Sequence, residues 1–233
     1  SRFLLHVVEE GRVLKFKQYG FDREVFAWAW EPTWKGFIAQ FGLSGSMQLT
    51  AVIYTAYGSK LEVASFLFAM RMLQTITQIA QAPFSSVQPL MARLMAAGDT
   101  EALGKLIRQR MGYTLALTAA GVGFGSVAIP LLLQLIGAKI DFIPIDAWLL
   151  LGGLTLILRF DVLCCAVSAT GNQMVFYWDM AAAAIISAVV LLLLGNSWGI
   201  YTPIITSTLP LVLILNFRPA RKARSILSSD SYL

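Results

Sequence analysis

Residues 181–217 run for 37 positions without one Asp, Glu, Lys or Arg, and four other stretches are nearly as free of charge. Gly36–Ser59 carries none in 24 residues, Met111–Ala138 none in 28, Val63–Ala92 one in 30 and Ala147–Trp178 two in 32. About 20 consecutive apolar residues suffice to cross the hydrocarbon core of a bilayer. Over the whole chain 57% of residues are hydrophobic and 13% are charged, with a mean hydropathy of +0.68. An average soluble domain carries about 25% charge. So few charges cannot cover a water-soluble globule with so apolar an interior. The pattern predicts an all-α, polytopic membrane protein.

That class excludes much else. Cys164 and Cys165 are adjacent within an apolar run, which fits neither a disulfide framework nor metal-ligand spacing. His6 stands among charged residues without a partner motif. We therefore expect no metal, no cofactor and no catalytic residue. The net charge of +5 is not interleaved with aromatics on a soluble face, so it predicts membrane topology and no nucleic-acid partner. The chain opens on Ser1 without a signal-peptide pattern, and we expect it to be part of something longer.

Residues 1–34 form a polar, amphipathic linker segment, with a short apolar face at Phe3-Leu4-Val7-Val8. Trp28, Trp30 and Trp34 then mark a membrane interface. Six spans follow, at about 35–57, 61–92, 111–136, 145–170, 173–194 and 198–217, and residues 218–233 form a basic tail. The breaks fall at Gly58-Ser59-Lys60, Gly98-Asp99, Gly137 to Pro144, Gly171-Asn172 and Gly195-Asn196. Asp99 is placed to cap a short helix through Glu101.

Alternate connections collect the basic residues: the N-terminal segment, then Arg93, Lys105, Arg108 and Arg110, then Arg218, Arg221, Lys222 and Arg224. The other side shows Lys60 and Lys139, each beside an acid. This bias puts both termini in the cytoplasm, although the Gly171-Asn172 turn carries no basic residue. Trp148 and Trp198 are expected at the outer interface and Trp178 near the inner one.

An ionisable or strongly polar group in hydrocarbon faces a partner or a wet cavity. In the second span Arg71, Gln74, Gln78, Gln81, Ser85 and Gln88 recur at three- and four-residue steps, so they share one helical stripe. Phe66, Ala69, Met70, Leu73, Ile76 and Ile79 form the opposite face, suited to lipid or neighbouring helices. A stripe headed by a cation near mid-membrane describes the wall of a hydrated path; the alternative is glutamines that zip helices together. Pro83 and Pro89 should interrupt the lower part of this helix. Gln40, Ser44, Gln48 and Thr55 form a weaker stripe in the first span. Gly121, Gly123 and Gly125 fit close helix packing rather than a nucleotide loop. Arg159 and Asp179 match in depth on consecutive spans and should pair, with Asp161 pointing elsewhere. Their role is structural or coupling.

Gln81–Arg110, QAPFSSVQPLMARLMAAGDTEALGKLIRQR, resembles the helix end and cytoplasmic loop of bacterial polysaccharide and lipid-linked oligosaccharide flippases. These belong to the multidrug/oligosaccharidyl-lipid/polysaccharide exporter superfamily. Pro89, Arg93-Leu94 and Ala97-Gly98-Asp99 stand where that family has a proline, an Arg-Leu and an acidic turn before a basic stretch. EPTWKG, Glu31–Gly36, is similar to the approach to the family's seventh helix. The resemblance implies one six-helix bundle of a two-bundle transporter, here the C-terminal one, in the bacterial cytoplasmic (inner) membrane. Its implied partners are membrane lipids, the missing N-terminal bundle and a polyprenyl-diphosphate-linked glycan, which it flips by alternating access. Arg71 would then engage the diphosphate, and Gln74, Gln78, Gln81 and Gln88 the cargo. The alternatives are a drug/cation antiporter of the same superfamily and a membrane enzyme acting on polyprenyl-linked sugars. The first would favour a carboxylate in the cavity; the second needs an outer loop with a base, and the outer connections here are short.

Overall fold

The computed structural model describes residues 23–137, 141–170 and 177–217. The expectations for the Phe3–Val8 face, His6, Lys139, the Gly171-Asn172 turn and the basic tail lie outside these residues, as does the side chain of Trp28. Among the described residues the chain forms seven helices and no strand. They are α1 Arg23–Tyr54, α2 Lys60–Ser85, α3 Gln88–Ala97, α4 Thr100–Ile136, α5 Ile145–Thr170, α6 Tyr177–Leu194 and α7 Tyr201–Phe217.

Four elements are long and apolar enough to cross a membrane: Lys60–Ala97, Glu101–Ile136, Ile145–Val167 and Tyr177–Leu194. Tyr201–Leu215 is apolar but shorter. The chain is an all-α, polytopic membrane protein. Of six expected spans, four meet the full criterion. α1 is long enough but is diluted by Gln40, Ser44, Ser46, Gln48 and Thr50.

The ends of these helices follow from local chemistry. Ser59 and Glu62 form a reciprocal capping box at the start of α2, with Glu62 N–H donating to Ser59 Oγ at 3.3 Å and Ser59 N–H to Glu62 Oε2 at 3.1 Å. The break expected near Pro83 and Pro89 falls at Ser86-Val87, because Pro89 lacks the N–H that would continue α2 and instead occupies the first turn of α3. Gly98 closes α3 at φ 71° and Gly137 closes α4 at φ 67°, a conformation that favours glycine. Asp99 does cap a helix, accepting from Ala102 N–H at 3.0 Å, but that helix is the whole of α4 rather than a short connector. The 37-residue uncharged tract breaks between Leu194 and Tyr201.

Contacts divide the chain into two compact units, residues 1–34 and 35–233. In the first, Phe26 stacks on Trp30 with ring centroids 5.3 Å apart. In the second, α2 packs on α4, α4 on α5, and α7 on both α5 and α6, while α3 folds back against α4 and α5. Leu73 and Phe66 of α2 meet Val122, Ile129, Trp148 and Leu151 at the Ser59 end of the bundle. Phe84, Met91, Leu103, Ile107 and Leu163 fill the Gly98 end. Leu158, Cys165, Met180, Ala183 and Leu211 join α5, α6 and α7.

Trp148 corrects one expectation. It is wholly buried, with Nε1–H donating to Val122 O at 2.9 Å and its ring tilted against Phe142. An indole with an intramolecular acceptor gains more from core packing than from the interface. Trp178 and Trp198 are exposed.

Glycines allow the tightest contacts. A Cβ on Gly121 would fall 2.4 Å from Ile76 Cγ2 and one on Gly125 3.1 Å from Trp148, while Gly123 faces open space. At Gly42 a Cβ would meet backbone, 2.6 Å from the carbonyl carbon of Met180. Backbone cannot step aside as a side-chain tip can, so Gly42→Ala should destabilise the bundle by about 1–3 kcal/mol. Thermal loss of helical ellipticity in detergent should move down for Gly42→Ala and stay put for Gly45→Ala, whose nearest neighbour is 3.8 Å away.

Candidate functional site

The buried face of α2 is Val63, Phe66, Ala69, Met70, Leu73, Thr77, Ala80 and Phe84, three or four residues apart. That spacing turns Arg71, Gln78 and Ser85 outward and leaves Gln74 and Gln81 half-buried at the edge of the packed face. Ile76 packs into the core, and Ile79 is exposed on the other flank.

Arg71 lies 11 residues into α2, about 16 Å along its axis. It opens on a cleft between α1 and α2 lined by Met47, Gln48, Ala51, Leu67, Met70, Arg71 and Gln74, with about 310 Å³ of empty space including its mouth. Arg71 Nη1 makes a long bond of 3.4 Å to Gln74 Oε1, and Gln74 Nε2 approaches Met47 Sδ at 3.9 Å. No carboxylate pairs with Arg71 among the described residues. A guanidinium offers five N–H donors in a planar fork, so most of this fork is available to a guest.

The structure thus brings Arg71 and Gln74 together with Gln48 of the weaker α1 stripe. Gln40 and Ser44 of that stripe bond each other at 2.9 Å, and Thr55 turns back to Val52 O. The rest of the expected α2 stripe disperses. Gln78 is exposed one turn beyond the cleft. Gln88 belongs to α3, so the helix break removes it from the stripe. Gln81 is taken by α5: Arg159 Nη1 donates to Gln81 Oε1 at 2.7 Å.

That bond also corrects the expected Arg159–Asp179 pair, since among the described residues no ion pair joins the two. Matching depth fixes one coordinate only, and the rotation of α5 sends Arg159 toward α2. Asp161, two positions on, is wholly buried; it and Asp179 both lie within electrostatic reach of Cys165. Cys164 and Cys165 are buried and not disulfide-bonded, and no group of acidic, His or Cys side chains suited to a metal occurs among the described residues.

Met47 and Ala51 complete the cleft without any signal in the sequence, because an apolar wall residue looks the same as a lipid-facing one. No protein-family model, curated protein or solved structure matches this chain.

A double-mutant cycle separates the two possible partners of Arg159. Arg159→Ala with Gln81→Ala should show a coupling of about 1 kcal/mol in detergent unfolding. The cycle of Arg159→Ala with Asp179→Ala should lie within about 0.3 kcal/mol of zero.

Proposed function

We propose that this chain is one bundle of a membrane transporter that flips or exports lipid-linked oligosaccharide or polysaccharide precursors by alternating access. The observation that carries the reading is Arg71, deep along α2, open to a cleft and without a carboxylate partner among the described residues. An unpaired cation in lipid is costly unless water or an anion meets it. A diphosphate suits it, because its oxygens match the guanidinium fork and its charge is offset in a low dielectric. Gln48 and Gln74, beside it, supply amide donors and acceptors for sugar hydroxyls. A preceding bundle closes the cleft from the other side. The distribution of basic residues supports both termini on the cytoplasmic side of the membrane.

A drug or cation antiporter draws on a different residue, the buried carboxyl of Asp161. The two readings part in one assay, surface-glycan restoration in a flippase-deficient strain that co-expresses this chain with the preceding bundle. Arg71→Ala and Arg71→Glu should cut restoration about tenfold or more, the worth of one charge-assisted contact, with Arg71→Lys retaining part of it. Full restoration by Arg71→Glu would overturn the anionic-cargo reading. Drug resistance lost in Asp161→Asn and kept in Arg71→Ala would establish the antiporter instead.

A further inference from the structure

We infer that the α3–α4 hairpin carries a docking site for an anionic phospholipid headgroup. Arg93 on α3 and Lys105 and Arg108 on α4 are exposed. None of the three has an ion-pair partner among the described residues, and Arg108 makes only a long Nε–H bond, 3.4 Å, to Gly104 O of its own helix. The nearest acids in sequence are committed to the α4 N-terminus. Asp99 caps the helix and Glu101 sits in its first turn, where the helix dipole favours carboxylates. Glu101 does not bridge to Lys105, although the two are one turn apart.

The placement of these charges in a bilayer follows from the length of α4. After Arg110 the helix is uncharged through Ile136, 26 residues or about 39 Å, which crosses a core of about 30 Å with tilt. Arg108 then lies about 5 Å and Lys105 about 9 Å beyond the apolar run, at the depth of lipid phosphates. α3 is held at the same end because its Met91, Leu94 and Met95 pack with Leu103 and Ile107 of α4. Arg93 is therefore presented from a fixed helix rather than a loose loop. One turn further into the bilayer, Gly112 has open space where a Cβ would be, and the small side chains of Ala116 and Ala119 are exposed on the same side of α4 as Arg108. An acyl chain descending from a phosphate at Arg108 would lie along this face. The bound group is the lipid's phosphodiester, held by guanidinium and ammonium donors.

This inference needs only that the helices span a bilayer, so it stands or falls separately from the transport reading. Native mass spectrometry of the purified full chain, titrated with phosphatidylglycerol or phosphatidylcholine, tests it. The wild type should bind the first phosphatidylglycerol at least about fivefold tighter than phosphatidylcholine, the effect of one basic residue at an anionic surface. The triple change Arg93→Gln/Lys105→Gln/Arg108→Gln should abolish that preference, whereas Arg93→Lys/Arg108→Lys should keep it. Should the triple variant lose helical ellipticity, Lys105→Gln alone, on an exposed position, should still lower the preference several-fold. The proposal is overturned if the wild type shows no preference or if the triple variant retains it. Loss of the preference in the tail variant Arg221→Gln/Lys222→Gln/Arg224→Gln with the hairpin intact would also overturn it, as would equal affinity for inorganic phosphate.

Discussion

Hydrocarbon offers no hydrogen bonds, so every polar group carried into it must be satisfied by the protein or turned toward water. Four buried threonine hydroxyls manage this within their own helix. Thr77 bonds Gln74 O, Thr118 bonds Thr114 O, Thr206 bonds Thr202 O and Thr208 bonds Ile204 O, each donating to the turn before it. Glutamine and arginine carry more donors than one turn of their own helix can satisfy, so when buried they reach for a partner on another helix or for an opening. Arg159 and Gln81 take the first course, tying α5 to α2. Arg71 takes the second, and that difference is what separates a strut from a candidate binding group.

The punctuation of the bundle was legible in residue type. Ser59 with Glu62, Gly98 with Asp99, Gly137 and Gly195 mark helix ends by capping chemistry and left-handed backbone, both of which are local. The polar face of α2 was legible from period alone as far as Gln81. Rotation about each axis was not. Trp148 reads as a belt residue until Val122 O is known to face it, and Arg159 reads as the partner of Asp179 until α2 is known to lie closer. Helices as apolar on every side as most of α5 and α6 show no stripe that would reveal which side meets lipid. Cleft walls such as Met47 and Ala51 fall in the same blind spot.

Close approach supplies what hydrophobicity cannot, because lipid tails compete equally for Leu and Ile. Gly42 brings α1 onto the backbone of α6, and just past the ends of the same two helices Tyr57 reaches Gly195. Both contacts advance together in sequence, so α1 and α6 run parallel, which sequence neighbours in an up-and-down bundle cannot do. α1 is thereby fixed on one side by α6. On its other side it meets α2 through the edge-to-face contact of Tyr54 and Phe66 at 5.7 Å and through the Gln74–Met47 approach.

These constraints bear on how a cleft of this kind can work. Behind Arg71 the helix is seated by Phe66, Met70 and Leu73 on Trp148 and Leu151, with Ile76 set against Gly121. Sliding α2 by one turn would drive Ile76 off its glycine and strand Arg159 without Gln81, so the core resists motion within the bundle. Under the transport reading proposed above, facing first one leaflet and then the other would have the whole bundle tilt against a second bundle, carrying Arg71 with it.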